Sequence, residues 1–73
     1  MQSKSRLPRR TWVGGDTVEA IYDFVPEAKN ELLLKAGQHY TVLKKESSTG
    51  WTFVKNSYGE KGLVPSTYVA LVT

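Results

Sequence analysis

The chain is 73 residues long, has no cysteine and one histidine, His39, and sets ten Lys/Arg against seven Asp/Glu for a formal charge of +3. That length holds one small domain and leaves no room for a two-domain enzyme with a buried cleft. The composition excludes a disulfide framework, a thiolate metal site, a thiol nucleophile and a multi-histidine metal centre.

The first segment, 1–16, carries Lys4, Arg6, Arg9 and Arg10 against Asp16, so the whole positive excess lies there. It is poor in apolar residues, contains Pro8 and Gly14-Gly15, and has neither helical nor strand periodicity. It reads as a flexible basic segment or linker, and 17–73 as the folded unit. Its basic residues are not followed by the apolar stretch of a signal peptide, and no apolar run approaches the ~18 residues that span a bilayer. From Thr17 onward, Lys29, Lys35, Lys44, Lys45, Lys55 and Lys61 balance Glu19, Asp23, Glu27, Glu31, Glu46 and Glu60.

Short strands follow one another from there. Residues 17–22 alternate, with Val18, Ala20 and Tyr22 on one face. Glu31-Leu32-Leu33-Leu34 is a short apolar run closed by Ala36-Gly37. Over 38–44, Tyr40 and Val42 share one side, and His39, Thr41 and Leu43 the other. Over 51–55, Trp51 and Phe53 share one face, and Thr52 and Val54 the other. Residues 62–64 and 69–72 complete the set. β-branched and aromatic residues dominate these runs. Turn chemistry separates them at 47–50, at Asn56-Ser57-Tyr58-Gly59 and at Pro65-Ser66. No segment sustains a 3.6-residue apolar period, so the pattern predicts a compact antiparallel barrel or sandwich without a long helix.

The chemistry available to such a fold is limited. One histidine on the outer side of a strand, without a carboxylate partner evident in sequence, does not make a triad. Gly14-Gly15 precedes a strand instead of opening a phosphate-binding helix. No carboxylate cluster has calcium or magnesium spacing. These absences predict a binding module with no cofactor and no metal. The aromatic set is more informative, because a core this small cannot bury Tyr22, Phe24, Trp51, Phe53, Tyr58 and Tyr68 together. Tyrosine and tryptophan join a large apolar body to a polar tip, which suits a half-exposed groove. Such grooves recognise polyproline II segments, whose stiffness lowers the entropy cost of binding.

Four motifs in order carry a family resemblance. Ala20-Ile21-Tyr22-Asp23-Phe24 resembles the Ala-Leu-Tyr-Asp-Tyr signature of the Src homology 3 (SH3) domain. Glu31-Leu32-Leu33-Leu34-Lys35-Ala36-Gly37 is similar to its Glu-Leu-Ser-Phe-Lys-Lys-Gly segment. Gly50-Trp51 stands at the family's tryptophan pair, and Gly62-Leu63-Val64-Pro65-Ser66-Thr67-Tyr68-Val69 resembles Gly-Leu-Phe-Pro-Ser-Asn-Tyr-Val. The resemblance covers 17–72 and none of the basic segment.

It implies an all-β fold, a small five-stranded antiparallel SH3-like barrel of two packed sheets with a short 3-10 turn at Pro65–Tyr68. It implies an RT loop over about 22–37, an n-Src loop over 45–50 and a distal turn near 57–60. The implied core is Val18, Ala20, Leu32, Leu34, Tyr40, Val42, Val54, Val64 and Val69. The implied peptide-binding residues are Tyr22, Phe24, Trp51, Pro65 and Tyr68, which wall two slots for X-Pro dipeptides, with Leu63 and Thr67 beside them. Glu27 and Glu31 supply the acidic rim for a ligand Arg or Lys. Phe24 stands for a tyrosine and lacks its hydroxyl, Thr67 replaces an asparagine, and Thr52 replaces the second tryptophan. Lys29 dilutes the acid of the loop, and Phe53, on the Trp51 face, extends or alters the specificity pocket.

The expected function is recognition of Pro-x-x-Pro segments flanked by Arg or Lys, by a monomeric domain of a larger cytoplasmic scaffold, adaptor or signalling protein. Two rival readings use other surfaces. An SH3-fold surface could dock a folded partner such as ubiquitin or another domain. A nucleic-acid-binding barrel could use the basic segment as an anchor; the neutral domain and its acidic loop oppose phosphate, so no nucleic acid is expected. Membrane contact is expected only through the four cations of the segment 1–16.

Overall fold

The computed structural model describes residues 14–46 and 49–72. The expectations for 1–13, including contacts of the basic segment, and for 47–48 of the n-Src loop lie outside the described residues. Five strands follow in order: β1 (Thr17–Ala20), β2 (His39–Glu46), β3 (Trp51–Lys55), β4 (Lys61–Pro65) and β5 (Val69–Leu71), with a 3-10 turn, Ser66–Tyr68, between the last two. All neighbours are antiparallel, in the spatial order β4-β3-β2-β1-β5. The two packed sheets of the expected barrel are thus joined in one unbroken ladder.

Strand alternation decides what is buried. The inward residues are Val18 and Ala20 of β1, Tyr40 and Val42 of β2, Thr52 and Val54 of β3, Val64 of β4 and Val69 of β5. Leu32 and Leu34, from the long β1–β2 connection, close the core. The nine apolar members are the nine expected ones. Each full burial of a valine or leucine is worth about 1.5–3 kcal/mol, so few residues carry the fold.

Three local departures from simple alternation shape the molecule. First, the β2–β3 register shifts between Val42 and Lys44. The extra residue, Leu43, bends β2 as bulges do, so its first half pairs with both β1 and β3. Second, β1 ends at Ala20, although the Ile21 N–H still donates to the Tyr68 carbonyl at 2.7 Å, in register with the β1–β5 pairing. Tyr22, past the end of the strand, does not share the burial of Val18 and Ala20 and is 57% exposed. Third, the 31–34 run is not a strand. Its backbone divides between two partners: Leu34 bonds Phe24 in both directions, at 2.9 and 3.0 Å, while the Leu32 N–H donates to the Leu63 carbonyl at 3.0 Å. A strand needs successive bonds to one neighbour.

Gly62 makes that crossing possible. A Cβ there would lie 2.9 Å from Glu31 and Leu32 backbone atoms and from the Leu32 Cβ. The position demands glycine for space, so the long connection can lie directly on β4. The β3–β4 hairpin turns at 56–60, where Gly59 takes φ 85°, a value favouring glycine. The 3-10 turn starts one residue later than expected, after Pro65, which stays extended at φ −64° and ψ 129°.

Candidate functional site

Trp51 opens β3 on its outer face, because Thr52 and Val54 point inward. Pro65 lies directly across from it on β4. Two contacts tie this corner to the 3-10 turn: the Ser66 N–H donates to the Gly50 carbonyl at 2.8 Å, and the Thr52 and Ser66 hydroxyls share a hydrogen bond of 2.7 Å. Thr52 is fully buried. Burying a hydroxyl is unfavourable unless it is hydrogen-bonded, so this bond turns a core position into an anchor for Ser66 and, two residues on, Tyr68.

Tyr22 and Phe24 reach the same corner from the β1–β2 connection. Tyr22 and Tyr68 meet edge to face at 5.3 Å and 73°, Tyr68 and Phe24 at 6.0 Å and 89°, and Phe24 and Trp51 at 6.0 Å and 70°. Edge-to-face pairs contribute roughly 0.5–1.5 kcal/mol beyond area burial, so the four rings brace one another. Rings joined this way cannot lie flat in one stack, and the row presents a corrugated apolar surface. Phe24 and Tyr68 also rest on the core, which fixes the row to the barrel.

At the Trp51 end the row opens into a depression lined by Asn30, Glu31, Thr49, Trp51 and Leu63. Glu31 is half-buried there. Its Oε1 accepts from the Glu27 N–H at 2.7 Å and the Ala28 N–H at 3.2 Å. One carboxylate oxygen thus holds the loop in shape while the group's charge stays beside the indole. Asp23 is another tie: its Oδ1 accepts from the Ala36 N–H at 2.8 Å, joining the two arms of the connection.

The structure brings Tyr22, Phe24, Trp51, Tyr68 and Pro65 to one corner, with Glu31 and Leu63 in the adjoining depression. Glu27 is exposed; in this structure it supplies a backbone N–H to Glu31 and does not line the depression. Thr67 is exposed in the 3-10 turn and belongs to neither the ring row nor the depression. Sequence reasoning missed Asn30 and Thr49, which gave no signal beyond adjacency to Glu31 and to Gly50-Trp51. It also missed the anchoring by Thr52, although alternation already placed that hydroxyl on the Val54 face. His39 is a surface residue whose Nε2 lies 3.3 Å from Glu19 Oε1.

The sequence model of the SH3 domain matches residues 19–66. The chain belongs to the SH3 domain family. Mouse sorting nexin-33 is 38% identical over 53 residues, covering 73% of this chain and 9% of its own length. The bovine protein kinase C and casein kinase substrate in neurons protein 1 is 38% identical over 58 residues, covering 80% of this chain and 13% of its own. The chain therefore spans only a small part of these relatives. Among solved structures, the yeast Nbp2p SH3 domain in complex with a peptide from Ste20p aligns with a TM-score of 0.77 and 34% identity, covering 84% of this chain and 91% of that one. In family terms the β1–β2 connection is the RT loop, the 56–60 hairpin the distal turn, and the corner between them and the 3-10 turn carries the ring row.

Proposed function

We propose that this SH3 domain, 17–73, binds proline-rich segments in the polyproline II conformation, flanked by Arg or Lys, as an interaction module of a larger cytoplasmic scaffold or adaptor. The observation that carries the reading is the row of four braced rings ending at a depression that holds a carboxylate. A polyproline II ligand offers rigid rings and solvated carbonyls. The corrugated row can take the rings, and the Trp51 indole and the hydroxyls of Tyr22 and Tyr68 can donate to the carbonyls. Glu31 attracts the basic residue at one end and so chooses the direction in which the ligand lies. Nbp2p, whose SH3 domain was solved with a Ste20p peptide, supports peptide recognition by this fold. The module itself is non-catalytic, and any catalysis by a parent protein belongs to its other domains.

The interface should bury less than ~1,200 Å², the range of weak, transient contacts. Titrating proline-rich peptides in both orientations into labelled protein tests the reading. Amide shifts should cluster at Tyr22, Glu31, Trp51 and Tyr68. Trp51→Ala should lower affinity by at least about tenfold, the loss of a central aromatic anchor, while the fold persists. Undiminished affinity in that variant would sink the site.

A further inference from the structure

The outer face of β3 and β4 does not stop at Trp51. Cross-strand pairs run along it in order: Trp51 with Pro65, Phe53 with Leu63, Lys55 with Lys61. Phe53 and Leu63 are half-buried, and Leu63 also lines the depression beside Glu31. The apolar surface thus continues out of the ring row and ends on two lysines set directly opposite each other. Like charges facing across an antiparallel pair are destabilising. Neither lysine makes an ion pair among the described residues. Glu60, beside Lys61 in sequence, is engaged by the Asn56 side-chain N–H at 2.8 Å. A partner carboxylate on this pair would relieve the repulsion and gain two cations.

The geometry points to a second recognition site at Lys55 and Lys61, continuous with the ring row, that takes acidic residues of the same ligand. This rests on the proline-rich reading of the row. The domain then reads a composite sequence: a proline-rich stretch, a basic residue at Glu31, and Asp or Glu farther along. Spacing fixes the distance. Two residues of strand advance about 6.7 Å, so Lys55 lies roughly 13 Å beyond Trp51. A polyproline II chain rises about 3.1 Å per residue, which places the acidic residues about four positions past the one resting on Trp51. The charge order along the face, negative at Glu31 and positive at Lys55 and Lys61, is the complement of that ligand and disfavours its reverse.

Three peptides with one proline-rich, arginine-flanked core test this: the core alone, the core with two aspartates about four positions past the Trp51 contact, and the same with two asparagines. Affinities are read by titration calorimetry at low and high salt. The aspartate peptide should bind wild-type protein about three- to tenfold more tightly than the asparagine peptide, the scale of two exposed ion pairs, and the gain should shrink as salt rises. Lys55→Glu/Lys61→Glu should abolish the gain while leaving the core peptide within about twofold. Lys55→Gln/Lys61→Gln removes the charge without creating a facing pair of acids, and should do the same if the reversed variant folds poorly. An equal gain in these variants, or no gain in wild type, overturns the second site while core binding that depends on Trp51 keeps the groove reading intact. A core peptide that binds Trp51→Ala as well as wild type overturns both.

Discussion

The RT loop and the distal turn both join neighbouring antiparallel strands, yet only the RT loop also leans on the rest of the barrel. The distal turn is self-contained. The Asn56 Oδ1 accepts from the N–H groups of Tyr58 and Glu60 at 2.9 and 3.0 Å, and its amide donates to Glu60 Oε1. All of this lies within five residues. The RT loop has ties of its own, but it is also held from outside. Leu32 and Leu34 sit in the core, the Leu63 N–H donates to the Asn30 carbonyl at 2.7 Å, and the Leu32 N–H returns a bond to Leu63. Loops this long in compact domains are usually functional. Here the loop's own ties, at Glu31, Asp23 and the Phe24–Leu34 bridge, are backed by its place in the barrel wall. Stability and recognition are therefore coupled in the RT loop and separable at the distal turn.

The hardest test of that contrast is Leu34→Ala. Truncating a buried leucine costs about 2–5 kcal/mol, comparable to the ~3–5 kcal/mol available to a domain this small. Urea denaturation should show a largely unfolded or barely cooperative protein. A loss under about 1 kcal/mol would mean that the loop is not part of the core. Gly62→Ala should follow, at about 1–3 kcal/mol for overpacking, since the new methyl meets backbone it cannot displace cheaply. Its amide shifts should spread to Glu31 and Trp51, and peptide affinity should fall with stability.

Asn56→Ala should cost about 1–2 kcal/mol from the hydrogen bonds lost in the turn. Affinity for the proline-rich core peptide, without acidic residues, measured where the protein remains folded should not change, and a fall in it would dissolve the distinction between the two loops. Glu31→Gln is the gentlest change, because the amide keeps an acceptor for the Glu27 and Ala28 N–H groups. It should weaken Arg-ended peptides about two- to fivefold and neutral-ended ones hardly at all. Equal losses for both would show that Glu31 acts through loop shape alone.

The barrel wall was legible in the sequence because alternation is a short-range signal. Val18, Tyr40, Val42, Val54, Val64 and Val69 declare their faces through their immediate neighbours. The gathering of Tyr22, Phe24, Trp51 and Tyr68 was not visible in any one segment, and it entered through the family resemblance of four separated motifs. What escaped was non-local. The 31–34 run has strand composition, but its backbone partners, Phe24 and Leu63, lie on different elements. Tyr22 continues the period of β1, but the strand ends at Ala20 and the Tyr22 ring meets Tyr68 outside the core. Glu31 reads as a bare charge, and its hold on the loop needs the folded turn at 27–31.

The bent ladder also sets the first and last strands side by side. The Val72 N–H donates to the Thr17 carbonyl at 2.9 Å, and Val18 faces Leu71. Residues far apart along the chain thus enter and leave the barrel at one seam. The distal turn, by contrast, owes its shape to its own five residues. A short linker across the seam, with the chain reopened between Ser57 and Tyr58, would give a circular permutant whose core is unchanged and whose ring row is intact. The same seam makes the domain portable, since a host protein need supply only two neighbouring attachment points to carry it.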